Sequence, residues 1–189
     1  PIINDTDIEK AVKLINNSQK PLILLGGGSL DANNNIKKFV SATGIPVVST
    51  LMGVGSFPSQ SDLYLGMIGI NGVYSANTAL NNADLIIALG VSFSDRSTCK
   101  KEAFAQNAKI ININTKKGLS DFELEITSDV NIFLKEILDK ISENIDINQW
   151  KKQVSLYKEE CKIQYKKSDS MRSAWVLETI YERTKLLEP

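Results

Sequence analysis

The sequence contains no histidine, and this absence removes several kinds of active site at once. Histidine is the usual general base at neutral pH and a frequent metal ligand, so Ser-His-Asp triads, Cys-His pairs and imidazole metal sites are excluded. Catalysis by this chain would have to rely on carboxylates, lysines or a cofactor. The acidic residues show no spacing that indicates a metal site or a catalytic carboxylate pair. We therefore predict no metal-binding residues and no catalytic carboxylate pair in the chain.

Cysteine is scarce as well. Cys99 and Cys161 are the two cysteines, and they do not form a CxxC motif, which argues against both a disulfide scaffold and a zinc site. We expect two reduced, isolated thiols, as is usual in the cytoplasm. Because no histidine is available to activate it, the Cys99 thiol should be mostly protonated and is a poor candidate for a nucleophile.

The chain also lacks net charge and long apolar runs. Its 22 Lys and Arg balance 22 Asp and Glu, so no overall field attracts nucleic acid or an anionic membrane. No apolar run approaches the roughly 20 residues that cross a bilayer. We predict a soluble protein with no nucleic-acid and no membrane partner.

The length of 189 residues suits one domain with an appendage. The chain starts at Pro1 rather than at a methionine, and residues 2–6 show no processing signal. We expect a segment of a longer protein.

Short apolar runs alternate with helical patterns over most of the chain. The runs predict strands at 21–25, 45–49, 84–90, 109–114 and 124–127. Helices are predicted after a capping box at Thr6 and Glu9, before Gly44, over 74–82, and after an N-cap at Asp129. This alternation predicts an α/β fold with a mainly parallel sheet that is covered on both faces. Ligands of such sheets bind at the carboxyl ends of the strands.

The last part of the chain is predicted to be a helical tail that follows a hinge at 142–148. Apolar and aromatic residues recur there at helical spacing between lysines, at Trp150, Val154, Tyr157, Cys161 and Tyr165. A basic aromatic helix can bind nucleic acid, but we favour a stripe that packs on the parent domain or on a neighbour. A further amphipathic helix is predicted over 173–187.

Glycine-rich and serine-rich loops follow the predicted strands at 26–28, 49–53, 66–69 and 90–96. Three consecutive glycines at 26–28 would leave backbone amides open to a phosphate, although a tight strand-to-helix turn explains them equally well. A GxGxxG fingerprint fails because Asp31 occupies its last position, so a Rossmann NAD site is disfavoured. Asp95 and Arg96 can either contact a nucleotide or pair with each other.

Five motifs occur in order and together carry a family resemblance: KPLILLGGG, TGIPVVSTLMGVGSFP, LGMIGINGVYSAN, ADLIIALGVSFSDR and AKIININ. Over residues 5–141 the chain resembles the central domain of thiamine-diphosphate-dependent enzymes, most closely that of the catalytic (large) subunit of acetolactate synthase. The resemblance implies a doubly wound, mainly parallel six-stranded sheet with helices on both faces, of the DHS-like NAD/FAD-binding type. It implies a central cofactor-binding domain over 1–145 and a helical connector over 146–189 that leads to a C-terminal thiamine-binding domain.

The resemblance also implies an activity for the full enzyme, which would condense two 2-oxo acids with decarboxylation. The typical reaction joins two pyruvates into 2-acetolactate, in branched-chain amino-acid biosynthesis. Thiamine diphosphate and Mg²⁺ would be bound by flanking domains of the same chain, in a cytoplasmic homodimer or homotetramer with a regulatory subunit as a further partner. The catalytic residues would lie in those flanking domains, so no catalytic residue is predicted in this segment, which alone is expected to be inactive. Two alternatives stay open: another thiamine-diphosphate enzyme, either an oxo-acid decarboxylase or a ring-diketone hydrolase, and a non-catalytic nucleotide-binding module.

In acetolactate synthases this domain holds the ADP part of FAD, and the flavin has a structural rather than a redox role. Related enzymes bind ADP there or nothing at all. Carried over by motif, the predicted cofactor-binding residues are Gly26, Gly27, Gly28, Thr50, Leu51, Met52, Gly69, Gly72, Gly90, Asp95, Arg96 and Asp129. The chain departs from the synthase pattern at Ser92 and Ser94, at Asn71 where a histidine is common, and at Asn112 and Asn114 where aspartates are common.

Overall fold

The computed structural model describes residues 3–93, 104–105, 107–117, 122–141, 145–161 and 173–184. The strands in these ranges are β1 (Pro21–Leu25), β2 (Val47–Ser49), β3 (Tyr64–Met67), β4 (Leu85–Leu89), β5 (Lys109–Asn114) and β6 (Leu124–Thr127). The α-helices are α1 (Asp5–Asn17), α2 (Asn33–Thr43), α3 (Tyr74–Asn82), α4 (Val130–Leu138), α5 (Asn148–Glu160) and α6 (Ser173–Thr184). Short 3₁₀ turns over Gly27–Ala32 and Leu51–Gly53 follow β1 and β2.

All the described strands lie in one parallel sheet, in the order β3-β2-β1-β4-β5-β6. Every residue of β1 and β4 is buried. Because neighbouring residues of a strand point to opposite faces, both faces of the sheet must be covered. Parallel crossovers are right-handed, so α2, which carries the chain from β1 to β2, lies on the opposite face from α3, which carries it back from β3 to β4. The prediction of a doubly wound, six-stranded parallel sheet is confirmed.

Strand β3 is the one element of the sheet that the apolar pattern did not predict. It lies at the edge of the sheet and is only half-buried, and a glycine interrupts it at Gly66. Its register against β2 shifts between Val47 and Ser49. A short edge strand of this kind has no apolar run to reveal it, because only one of its faces packs on the core.

Helix ends are set by capping groups near the predicted positions. The buried face of α2 consists of Ile36, Phe39, Val40 and Thr43, and Gly44 ends the helix in the left-handed conformation. The capping box predicted at Thr6 is wrong, because Asn4 is the N-cap and its Oδ1 accepts from the Thr6 amide at 3.2 Å. Asp5 and Asp7 then fall in the first turn, where negative charge interacts favourably with the helix dipole.

Helix α5 packs on the sheet domain as an additional helix of its α3 side. Trp150 and Val154 are buried in the common core, and the Trp150 indole Nε1 donates to the Pro21 carbonyl oxygen at 2.9 Å. At the other end of the helix, Lys158 Nζ donates to the Ser61 carbonyl oxygen at 2.8 Å, and the Ser75 amide donates to Cys161 Sγ at 3.0 Å. The interpretation of the aromatic stripe as a packing face is confirmed for Trp150 and Val154.

Helix α6 contrasts with α5 because most of its apolar side chains are exposed, among them Leu177 and Ile180. A hydrogen bond from Gln60 Nε2 to the Tyr181 hydroxyl, at 3.2 Å, connects it to the loop before β3. No helix in the described ranges combines the length and the hydrophobicity of a membrane-spanning segment.

Candidate functional site

The carboxyl ends of the first four strands bring three of the predicted loops together. Loop 26–28 follows β1 and loop 50–53 follows β2, while Gly90 directly follows β4. The loop after β3 covers 68–72, because Gly66 and Met67 of the predicted loop 66–69 belong to the strand. Strands β1 and β4 are neighbours in the sheet although the chain leaves β1 toward β2. This reversal of direction is where doubly wound sheets form a crevice for a ligand. The geometry therefore points to this edge of the sheet, which we call the carboxyl edge.

The glycines after β1 and β4 are required by a close approach of two backbones. A Cβ on Gly26 would overlap the Gly90 carbonyl group and lie 2.5 Å from the Val91 Cα. A Cβ on Gly90 would lie 2.5 Å from the Gly28 carbonyl carbon and 2.6 Å from the Gly28 Cα, and Gly90 also has a positive φ of 61°. Real side chains essentially never make such contacts. These glycines therefore lock the two loops together, whatever the edge binds.

Where these two loops meet, backbone amides that were predicted to be open donate hydrogen bonds to backbone carbonyls. The Gly26 amide donates to the Leu89 carbonyl at 2.9 Å, the Gly28 amide to the Gly90 carbonyl at 3.0 Å, and the Gly90 amide to the Ile113 carbonyl at 2.8 Å. The prediction of open amides is thus wrong at Gly26 and Gly28. Gly27 is less crowded than Gly26 and Gly28. A Cβ added to Gly27 would lie 3.2 Å from the Met52 Cβ and 3.6 Å from the Met52 carbonyl oxygen, and no other atom of the described residues, its chain neighbours apart, would lie within 4 Å.

The loop after β2 presents apolar side chains to solvent on a rigid turn. The Thr50 amide donates to the Leu25 carbonyl at 2.8 Å and the Gly53 amide to the Thr50 carbonyl at 2.9 Å, which fixes the 3₁₀ turn between them. Leu51 is 72% exposed and Met52 is 69% exposed. Apolar side chains held at an edge by an ordered backbone are typical of a surface that another group covers. Leu51 and Met52 are thus two predicted site residues whose side chains are available to a ligand.

The loop after β3 is held by a side chain that the sequence analysis did not single out. Asn77 on α3 accepts from the Gly69 amide through Oδ1 at 2.9 Å and donates to the Gly69 carbonyl through Nδ2 at 3.0 Å. The Gly72 amide donates to the Gly69 carbonyl at 2.9 Å. The sequence shows only an asparagine near the start of a predicted helix. Polar residues without a structural role are also common there, so the pattern did not indicate that Asn77 holds the loop.

Replacing Asn77 by alanine should release this loop. The variant loses two hydrogen bonds and leaves the Gly69 amide unpaired, while the Gly69 carbonyl keeps its bond from the Gly72 amide. The free energy of unfolding should fall by about 1–3 kcal/mol in urea titration. Asn81 is exposed on the same helix and provides the matched control, since its alanine variant should stay within about 0.5 kcal/mol of wild type. Equal effects of the two substitutions would contradict the role assigned to Asn77.

Asp129 lies beyond the end of β6, two strands away from β4. Its side chain caps α4, because Oδ1 accepts from the Asn131 amide at 2.8 Å. Asn131 in turn donates to the Asp31 carbonyl at 3.2 Å and accepts from Asn35 at 3.0 Å, which connects this cap to the loop after β1. A structural role therefore explains Asp129, and the predicted contact with a cofactor would have to be additional to it.

Two substitutions separate these roles. Asp129→Ala should lower the free energy of unfolding by about 1 kcal/mol because the N-cap is lost, whereas Asp129→Asn keeps a capping oxygen and should stay close to wild type in thermal or urea denaturation. Only a contact of the carboxylate charge with a ligand would make Asp129→Asn weaken binding. If both variants lost the same stability, capping would not be what Asp129 contributes.

The remaining predicted residues are placed differently. Asp95 and Arg96 lie outside the described residues, as does Ser94. Asn114 uses its Nδ2 to donate to the Val91 carbonyl at 2.9 Å, so it supports the loop after β4. Asn112 donates to Glu125 at 3.1 Å, while its buried Oδ1 has no hydrogen-bond partner. Within the described ranges, no group of three or more His, Cys, Asp or Glu residues is arranged to hold a metal ion.

The comparisons with known proteins agree with this architecture. The family described as "Thiamine pyrophosphate enzyme, central domain" matches residues 8–137. The chloroplastic acetolactate synthase of Arabidopsis thaliana is 37% identical over 172 residues, which cover 86% of this chain and 26% of that protein. Acetolactate synthase 2 of Nicotiana tabacum is 34% identical over 96% of this chain and 29% of that protein. The acetolactate synthase large subunit of Corynebacterium glutamicum is 39% identical over 76% of this chain and 24% of that protein.

The chain thus spans about a quarter of the length of these curated relatives. The match with the family covers most of the sheet and the loops at its carboxyl edge, from α1 to α4. The chain belongs to the central domains of thiamine pyrophosphate enzymes, of the kind found in acetolactate synthases.

Proposed function

We propose that the complete protein is an acetolactate synthase that joins two 2-oxo acids with loss of carbon dioxide, with pyruvate as the typical substrate and 2-acetolactate as the product. The observation that carries this proposal is the identity of 34–39% with acetolactate synthases over most of the chain. In a reaction of this kind, thiamine diphosphate supplies the carbon nucleophile. It would be bound together with Mg²⁺ by the flanking domains, and this chain would contribute none of the catalytic residues.

The role of this domain would be to bind the ADP part of FAD at the carboxyl edge and to fix its flanking domains in position. The loops after β1 and β2 offer apolar surface and space for such a nucleotide. Leu51 and Met52 offer exposed apolar surface to a ring system, and Gly27 leaves room beside Met52 for a close approach. Because the amides of Gly26, Gly28 and Gly90 are already used, those three glycines would contribute by shaping the edge rather than by binding phosphate.

The two parts of the chain would serve this assembly differently. Residues 1–145 would form the cofactor-binding domain and 146–189 the connector toward a C-terminal thiamine-binding domain. The burial of Trp150, on α5, supports a connector whose first helix is fixed to the cofactor-binding domain. The exposed apolar side chains of α6 support a contact between the second helix and another domain. A homodimer or homotetramer with a regulatory subunit would complete the enzyme. Cys161 is a free, half-buried thiol, as expected of a cytoplasmic protein.

A second candidate is a nucleotide-binding module whose cofactor contacts have changed. Ser92 and Asn71 are both exposed at the carboxyl edge where the synthase pattern has an arginine and a histidine. Loss of a cation there weakens the attraction for a diphosphate, so FAD would bind less tightly than it does in the synthases.

The test uses the complete protein with thiamine diphosphate, Mg²⁺ and pyruvate, and it measures the products. The synthase proposal predicts 2-acetolactate and carbon dioxide in equal amounts. Acetaldehyde as the main product would indicate an oxo-acid decarboxylase, and hydrolysis of a cyclic diketone without turnover of pyruvate would indicate a hydrolase. Absence of all three reactions, together with binding of ADP but not of FAD, would favour the nucleotide-binding module.

A further inference from the structure

The described part of the structure contains a cavity at the opposite edge of the sheet, where the strands begin. Its volume is about 610 Å³, within the range of roughly 300–1,000 Å³ that small-molecule sites occupy. One wall is a single face of α1, formed by Lys10, Lys13, Leu14 and Asn17. The other walls are the first residues of β4, β5 and β6. We call this the amino-edge cavity, and the sheet separates it from the loops of the carboxyl edge.

The charged residues that line the amino-edge cavity are three lysines, Lys10, Lys13 and Lys109, and two carboxylates, Asp84 and Glu123. Asp84 accepts from the Ser18 hydroxyl and from the backbone amides of Gln19, at 2.8 Å, and Lys20, at 3.0 Å. Glu123 is paired with Lys109 at 3.1 Å. Asp84 is therefore satisfied by hydrogen bonds and keeps its negative charge, whereas Glu123 is ion-paired.

The lysines of α1 are left with little compensation. Lys10 lies 4.0 Å from Asp7 on the exposed surface of the helix, a pair that contributes little in water. Among the described residues, no hydrogen bond or ion pair engages Lys13. Among the described lining residues, Lys13 is consequently the lysine without a partner, on the side of α1.

Part of the cavity lining is apolar. Leu14, Leu85 and Leu124 contribute to it, together with Asn17 and Asn107. A bare inorganic ion would need far less space and would gain nothing from leucine side chains. A molecule with one anionic group and a short aliphatic body would use both features, because the anion can pair with lysine while the aliphatic part leaves water.

We propose that the amino-edge cavity is a binding site for a small aliphatic carboxylate, with Lys13 as the principal partner of the carboxylate and the three leucines as the contact for its chain. This site is independent of the proposed cofactor site, and it stands whether or not the carboxyl edge binds FAD.

The test is a titration of the complete protein with acetate, butyrate and hexanoate, followed by NMR signals of the leucine methyl groups. Affinity should rise about three- to four-fold for each added methylene group that is buried, and the methyl signals of Leu14, Leu85 and Leu124 should shift. Lys13→Ala should weaken hexanoate binding by about ten-fold, and Lys13→Arg should restore most of it. Lys37→Ala provides the control, since Lys37 is an exposed lysine on α2.

Three results would overturn the proposal. The first is the absence of saturable binding of hexanoate. The second is binding that Lys13→Ala leaves unchanged, which would place the carboxylate elsewhere, for example at the carboxyl edge. The third is affinity that does not depend on chain length and is matched by inorganic phosphate, which would indicate a site for inorganic anions only.

Discussion

Replacing Trp150 by alanine is expected to lower the free energy of unfolding by about 3–5 kcal/mol, the usual cost of removing a buried tryptophan. The side chain is 2% exposed, it packs in the same core as the sheet, and its ring contacts Tyr157 edge-on. The substitution also leaves the Pro21 carbonyl without the indole donor. Because small domains are stable by only about 5–15 kcal/mol, this loss should be plain in urea denaturation followed by circular dichroism.

The second tryptophan of the chain provides the control. Trp175 is 37% exposed on α6, so Trp175→Ala should change the free energy of unfolding by less than about 1 kcal/mol. Trp150→Phe keeps most of the buried area and should lose an intermediate amount. Equal losses for Trp150→Ala and Trp175→Ala would show that α5 is not a structural part of the domain.

The anchoring of α5 has a consequence for the carboxyl edge. The helix begins where Trp150 meets the start of β1 and ends where Cys161 accepts from the amide of Ser75, in the first turn of α3. That turn directly follows the loop that contains Gly69 and Gly72. The chain therefore leaves the domain beside the proposed cofactor site.

Replacing Gly90 by alanine is expected to lower the free energy of unfolding by about 2–5 kcal/mol. Two costs contribute: about 1–2 kcal/mol for a side chain in the left-handed conformation and about 1–3 kcal/mol for forcing the Cβ against the backbone of Gly28. The loops after β1 and β4 would have to separate, which breaks the hydrogen bond from the Gly28 amide to the Gly90 carbonyl. Thermal denaturation of the complete protein measures the combined effect.

Two other glycines separate these costs. Gly26 has a φ of −110°, which any residue adopts, so Gly26→Ala should show the steric cost alone. Gly55 has a φ of 96°, and a Cβ added there would meet nothing within 4 Å, so Gly55→Ala should show the conformational cost alone. If Gly26→Ala were as stable as wild type, the close approach of the two loops would not exist in solution.

The central elements of the fold were predictable because their local signals agree with their surroundings. Strands β1 and β4 are unbroken apolar runs that are buried on both faces, and α3 has its predicted bounds. Strand β2 starts later than predicted, at Val47, because Pro46 precedes it without an amide hydrogen and takes part only through its carbonyl oxygen, which accepts from Ile23. Such boundaries depend on pairing with a distant strand, which local sequence does not contain.

The candidate site was predictable in position but not in detail. The glycine loops marked the carboxyl edge correctly, yet the sequence did not reveal that Gly26 and Gly90 face each other across the β1–β4 junction. The two hydrogen bonds between Asn77 and Gly69 were not predictable from the sequence either, because they depend on how α3 packs against the loop that precedes it. Exposure of Leu51 is likewise a property of the tertiary structure.

The most direct test of a flavin site at the carboxyl edge is a fluorescence titration of the complete protein with FAD, comparing wild type with Leu51→Ala and Leu156→Ala. Both leucines are exposed, by 72% and 56%, so neither substitution should disturb folding. FAD should bind to wild type and to Leu156→Ala equally, and about ten-fold more weakly to Leu51→Ala, because burying a leucine against the ligand contributes about 1.5–3 kcal/mol. Absence of saturable FAD binding to wild type, or equal affinity of all three proteins, would contradict a flavin site built on this loop.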